Sequence, residues 1–150
     1  MSASISRDGK HTILHIIERL TNGGASRVAL ALSKHSTSQE SQFNHRILSL
    51  QRPTPEGMRL AESYGYEVDH GCGKPFLNYQ IQQADLVHLH WWNSPAMRAF
   101  MAMDLVETRM LVWCHVAGKH VPQVIIPELI QYADLTVATN PTTHAEVPAF

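Results

Sequence analysis

Several groups of residues in this chain have types and spacings that could do chemistry. Gly23 and Gly24 sit where a strand-like run gives way to a helix-like one. Glycine lets a ligand approach the backbone, and the free N–H groups opening a helix favour an anion. A plain tight turn would use the same residues. His88 and His90 are two apart in an apolar, strand-like run, so both rings point to one face. Two such imidazoles could hold a metal. The next residues are Trp91 and Trp92, however, and no Cys or carboxylate has companion spacing, so neither a metal nor another cofactor is expected. His88 reads as a hydrogen-bonded core histidine; His90, nearer the carboxyl end of its run, reads as the more functional of the two. Trp91 and Trp92 could stack on a sugar ring or pack the domain wall, and one in each role is expected. His115 ends another apolar run. Cys114 beside it must point the opposite way in a strand, and reads as a small buried hydrophobe rather than a nucleophile.

Other chemistries lack their residues. A dinucleotide fingerprint needs Gly-x-Gly-x-x-Gly and an acidic residue ending the second strand. Here the loop is Gly-Gly-Ala-Ser-Arg and the second strand ends Ser49-Leu50-Gln51-Arg52. Gly9-Lys10-His11 and Gly118-Lys119-His120 lack the hydroxyl residue of a phosphate-binding Gly-Lys-Ser/Thr loop. No Gly-x-Ser-x-Gly elbow is present. The net charge of −1 over 150 residues gives no basic field for nucleic acid. Two distant cysteines, Cys72 and Cys114, imply neither a disulfide framework nor a metal pair, which fits a reducing cytoplasm. The polar first residues resemble no secretion signal, and no apolar run approaches the roughly 18 residues that span a bilayer.

The elements that must position these residues alternate. The β-branched, apolar run over 12–18 and further runs over 45–50, 66–68, 85–91, 110–114 and 135–139 read as six strands. Between them, Ala25, Val28, Ala29 and Leu32 share one helical face, and 58–64, 77–83, 95–107 and 121–132 read as helices. A last helix is expected from Pro141 onward. Ser94 is an expected N-cap with Pro95 as first helical residue, Gly65 an expected stop, and 71–75 an expected turn. Strands alternating with helices predict one α/β domain over 1–150: a doubly wound, mainly parallel sheet of about six strands with helices on both faces. The usual order, 3-2-1-4-5-6, puts ligands outside the carboxyl ends of the strands at the β1/β4 switch point. Asn22, Gly23 and Gly24, then Trp91, Trp92 and Asn93, then His115 would meet in that crevice.

These residues also carry a resemblance. Ile13-Leu14-His15-Ile16-Ile17 followed by Asn22-Gly23-Gly24-Ala25-Ser26-Arg27-Val28-Ala29-Leu30 resembles the opening of glycosyltransferase family 4. Asp85-Leu86-Val87-His88-Leu89-His90-Trp91 resembles that family's Asp-Val-Val-His-x-His stretch, and Val112-Trp113-Cys114-His115 its strand ending in a functional histidine. Ala133-Asp134-Leu135-Thr136-Val137-Ala138-Thr139 resembles its Ala-Asp strand near the end of the first domain. The pieces occur in the family's order over nearly the whole chain.

The resemblance implies the acceptor-side, Rossmann-like half of a two-domain (GT-B) transferase. Such an enzyme moves a sugar from a nucleotide-sugar to a glycan or glycolipid acceptor, with retention and without an essential metal. It implies that His115 contacts the transferred sugar, that Gly23 and Gly24 lie near the donor phosphates, and that His90 and Trp91 help line the acceptor crevice, where the strand order also puts Asn22 and Asn93 as expected substrate-binding residues. Ser26 departs from the family's Glu, and Asn140 stands where a Ser is common. The family's Glu-x7-Glu donor motif has no counterpart, since no two Glu are eight positions apart. A donor-binding domain is thus expected to be missing and to come from a separate chain or a larger assembly. Cytoplasmic location, contact with a membrane surface and homo-oligomerisation are compatible with the resemblance. The other expectation carried forward is a non-catalytic sugar- or protein-binding domain that kept the fold.

Overall fold

The computed structural model describes residues 9–38 and 42–148. Six strands form one all-parallel sheet: β1 (His11–Ile17), β2 (Phe43–Ser49), β3 (Val68–His70), β4 (Leu86–Trp91), β5 (Met110–Cys114) and β6 (Leu135–Ala138). Their order is β3-β2-β1-β4-β5-β6, the order expected from the alternating pattern. The helices are α1 (Gly24–Ser38), α2 (Pro55–Tyr64), α3 (Lys74–Gln82), α4 (Pro95–Met101), α5 (Pro127–Tyr132) and α6 (Pro141–Glu146).

Apolar strand residues pack on both faces of the sheet, as expected where helices cover each side. One face presents Ile17 and Ile47, which cluster with Ala29 and Leu30 of α1 and Ala61 of α2. The other presents Leu14, Ile16, Leu48, Val87, Leu89, Trp91, Val112 and Cys114. These pack with Leu77 and Ile81 of α3, Met97 and Phe100 of α4 and Leu129 of α5. The fold is therefore a Rossmann-like doubly wound α/β sheet.

The helix ends follow local chemistry. Thr54 accepts from the Gly57 amide before Pro55, and Gly65 closes α2 at φ 84°. Ser94 accepts from the Met97 amide before Pro95, and Asn140 accepts from the Thr143 amide before Pro141. At Asn140, where the resemblance has Ser, the capping oxygen is kept.

Several expected boundaries move. The helix expected over 58–64 starts earlier, at Pro55 behind the Thr54 cap, and the third strand, expected over 66–68, spans Val68–His70. Residues 71–75 are not all turn, because α3 opens at Lys74 with Pro75 in its first turn. The helix expected over 95–107 stops at Met101. The chain beyond is irregular, held by the Val106 amide donating to Asn78 Oδ1 (3.0 Å), with Leu105 and Val106 against the core. The helix expected over 121–132 begins only at Pro127. A proline disfavours helical backbone in the residue before it, and Ile126 is extended (φ −112°, ψ 155°). The expected final helix ends at Glu146; its expected last residues, 149–150, lie outside the described residues.

Candidate functional site

The segments after β1 and at the end of β4 meet at the switch point. They line a crevice of about 380 Å³ whose walls include Ile17, Arg19, Gly23, Gly24, Ser26, His90 and Trp92. Neither Gly23 nor Gly24 has a positive φ. A Cβ on Gly24 would meet nothing within 4 Å, and one on Gly23 would meet Thr21 Oγ1 at 3.1 Å. The turn itself does not demand glycine at 24. What its missing side chain does is bare the start of α1, where first-turn amides have no helical partner. No acidic residue lies in that turn to compete for them. Buried Ser26, in place of the family's Glu, accepts from the Thr21 amide at 3.1 Å and holds the loop.

The other expected site residues divide. His90 lines the crevice. Trp91 does not: it is 5% exposed, packs in the core of the opposite face, and borders a second hollow. Trp92, 44% exposed, is the tryptophan at the crevice. The strand period of two explains this, since 88, 90 and 92 share one side and 91 the other. Asn22 is exposed, and its carbonyl accepts from Arg27 Nε at 2.8 Å; it is not among the residues of the crevice wall. Asn93 is committed elsewhere. Its amide N donates to Gln123 Oε1 (2.9 Å), its side-chain amide to the Pro122 carbonyl, and its Oδ1 accepts from Arg98 Nη1 (2.7 Å). Asn93 thus helps to wall the second hollow of about 620 Å³, beside Trp91, Met101, Val121 and Leu129.

His115 stands one hydrogen bond behind the crevice. Its Nε2 is 2.8 Å from His90 Nδ1, and its ring stacks on Trp113 with centroids 5.0 Å apart. That contact is one end of a longer row. His90 Nε2 is 2.9 Å from His15 Nδ1, and His15 Nε2 is 2.9 Å from His45 Nδ1. His88 stacks on His90 at 4.3 Å and lies 4.9 Å from His15. All five rings and Trp113 occupy one sheet face, because register pairs His15 with His88 and His90 with Trp113. Each hydrogen bond in the row needs one donor and one acceptor, so neutral rings must share one tautomeric direction from His45 to His115.

Burial decides the charge of the row. His15 is pushed down to about 2 by desolvation, then by the neighbouring His88 and His45. Desolvation first, then neighbouring imidazoles, lowers His88 to about 4 and His90 well below the ordinary value. Desolvation also lowers His115 to about 4 and His45 to a lesser degree. The rings are neutral at pH 7, so their lone pairs are available. His88 is a buried histidine as expected, but its Nε2 has no hydrogen-bond partner. Burial raises the Cys114 thiol to about 12, in keeping with a packing role.

His15 and His45 were not among the residues singled out by spacing. They are 30 positions apart and 73 and 43 positions from His88. Only strand register joins them. The one local signal was His15 in the middle of an otherwise apolar strand.

No known family model matches the chain, and no curated protein or solved structure shows significant similarity to it. Among the described residues, no helix is long and apolar enough to cross a membrane.

Proposed function

We propose that this chain is the acceptor-side half of a retaining glycosyltransferase. Together with a donor-binding domain it would transfer a sugar from a nucleotide-sugar to a glycan or glycolipid. The observation that carries the reading is the crevice itself. The Gly23–Gly24 loop that resembles family 4 opens α1 at this crevice, and His90 and Trp92 line it too. Amides at a helix start suit a sugar phosphate, and an exposed indole suits a sugar face. His115, hydrogen-bonded to His90, is the residue we assign to the transferred sugar.

Amide-resolved NMR of the labelled chain, titrated with UDP- and GDP-sugars and with oligosaccharides, tests this directly. The expected result is a shift at the Gly23, Gly24 and Ser26 amides and the Trp92 indole. Shifts confined to the hollow beside Trp91, or none, would overturn it. With a donor domain supplied, His115→Ala is expected to lower transfer by about 10²-fold or more, the usual loss when a group contacting the transition state is removed.

A second reading, a binding domain without catalysis, is favoured by one feature. The hollow beside Trp91 is lined mainly by apolar side chains, including Val121 and Ile126, which are 87% and 47% exposed. Capture of a sugar or protein there, with a silent Gly23–Gly24 loop, would favour that reading.

A further inference from the structure

Three imidazoles from two adjacent strands converge under the crevice. One ring nitrogen from each of His15, His88 and His90 lies within 4.8 Å of the other two, and no other such trio occurs among the described residues. Their residues are 0%, 6% and 1% exposed. Buried ring nitrogens are normally hydrogen-bonded, yet His88 Nε2 is not. His15 Nδ1 and His90 Nε2 point at each other. The outward nitrogens of those two rings, His15 Nε2 and His90 Nδ1, are each held by a further histidine, His45 and His115. Metal-bound histidines characteristically show this pattern: one nitrogen toward the ion, the other N–H donated to an outer partner.

We infer that His15, His88 and His90 form a binding site for a borderline divalent cation, zinc foremost. The donor set is all imidazole, with no carboxylate to favour magnesium or calcium and no thiolate to favour a soft ion. Three histidines leave a fourth position for water or hydroxide, and hydroxide offsets part of the buried charge. A tetrahedral ion with Zn–N distances of about 2.0–2.1 Å needs ligand nitrogens about 3.3 Å apart. The His15–His90 pair must open by a few tenths of an ångström, while His88 must swing inward. His88 is the ring whose Nε2 no hydrogen bond restrains. The ion would enter past His90, which lines the crevice.

Loading has a structural consequence. With the metal on His15 Nδ1 and His90 Nε2, both outer nitrogens become fixed N–H donors. His90 then donates to His115 Nε2, and the neutral His115 ring must carry its proton on Nδ1. The loaded row therefore matches neither one-directional arrangement of the metal-free row: its two halves donate outward from the ion, His15 toward His45 and His90 toward His115. The inference stands on the histidine geometry alone and does not rest on the transferase reading.

The test uses the full chain, stripped by chelator and titrated with Co²⁺ as a spectroscopic probe, then with Zn²⁺. One Co²⁺ per chain is expected, with the intense visible bands of four-coordination, displaced stoichiometrically by zinc. His88→Gln is expected to abolish this uptake. His45→Phe replaces no ligand and is expected to keep the stoichiometry while weakening affinity about 10- to 100-fold through the lost hydrogen-bond partner of His15. Imidazole ¹⁵N shifts of the unmutated chain guard against misfolded variants: the His15, His88 and His90 rings should move on zinc addition. No stoichiometric uptake, uptake unchanged in His88→Gln, or shifts confined to exposed rings such as His35 and His120 would overturn the inference.

Discussion

Acidification should unfold this protein through its buried histidine row. His15, His88 and His90 have folded pKa values of about 2, about 4 and well below the ordinary 6.5, with desolvation the main cause in each. For groups lowered in this way, the unfolded chain binds protons that the folded chain refuses. Stability is therefore complete above pH 6.5 and is lost as pH falls from there toward the folded values. At pH 5 the unfolded rings lie about 1.5 pH units below their pKa, which is roughly 2 kcal/mol for each ring. Three rings give roughly 6 kcal/mol, against a total of about 5–15 kcal/mol for a typical domain. Urea unfolding of the metal-free chain at pH 7.5, 6 and 5 is the assay. At a slope of about 2 kcal/mol/M, the midpoint should fall by roughly 2–3 M between pH 7.5 and 5. The pH dependence should correspond to uptake of about three to four protons on unfolding, from His15, His88, His90 and the half-buried His115, and His88→Gln should remove about one of them. A midpoint that stays level or rises as pH falls would refute the burial argument.

Two further outcomes test the packing. Gly57→Ala would put a Cβ 2.4 Å from the Leu20 carbonyl oxygen, a backbone atom that cannot step aside, so α2 must shift off the loop after β1. A loss of about 1–3 kcal/mol is expected in denaturant unfolding, and a neutral result would mean that this approach is looser than described. Thiol labelling should separate the cysteines. Exposed Cys72 should react in the folded chain, while buried Cys114, its pKa raised to about 12, should react only on unfolding. Equal rates would contradict the placement of β5.

Much of the fold was legible in the sequence because its signals are local. A short apolar run such as Met110–Cys114 marks a strand wherever it lies, and it appears with the expected bounds. Ser94-Pro95 marks a helix start because the capping oxygen and the fixed proline φ act within one turn. The α4 and α5 bounds were less legible. Where α4 ends depends on an amide partner, Asn78, 28 residues from Val106. The switch-point crevice followed from element order alone, and Gly23, Gly24 and His90 line it as expected.

The sequence by itself determined the alternation of strands and helices, the loops that could meet at one sheet end, and the same-face placement of His88 and His90. Tertiary structure alone decided which partners those histidines have. Register set His15 beside His88, brought His45 and His115 to the ends of the row, and turned Trp92 rather than Trp91 to the crevice. The physical reason is the reach of each constraint. Side-chain direction within a strand follows from its period of two, whereas contact across strands depends on a hydrogen-bond register that the whole sheet sets together.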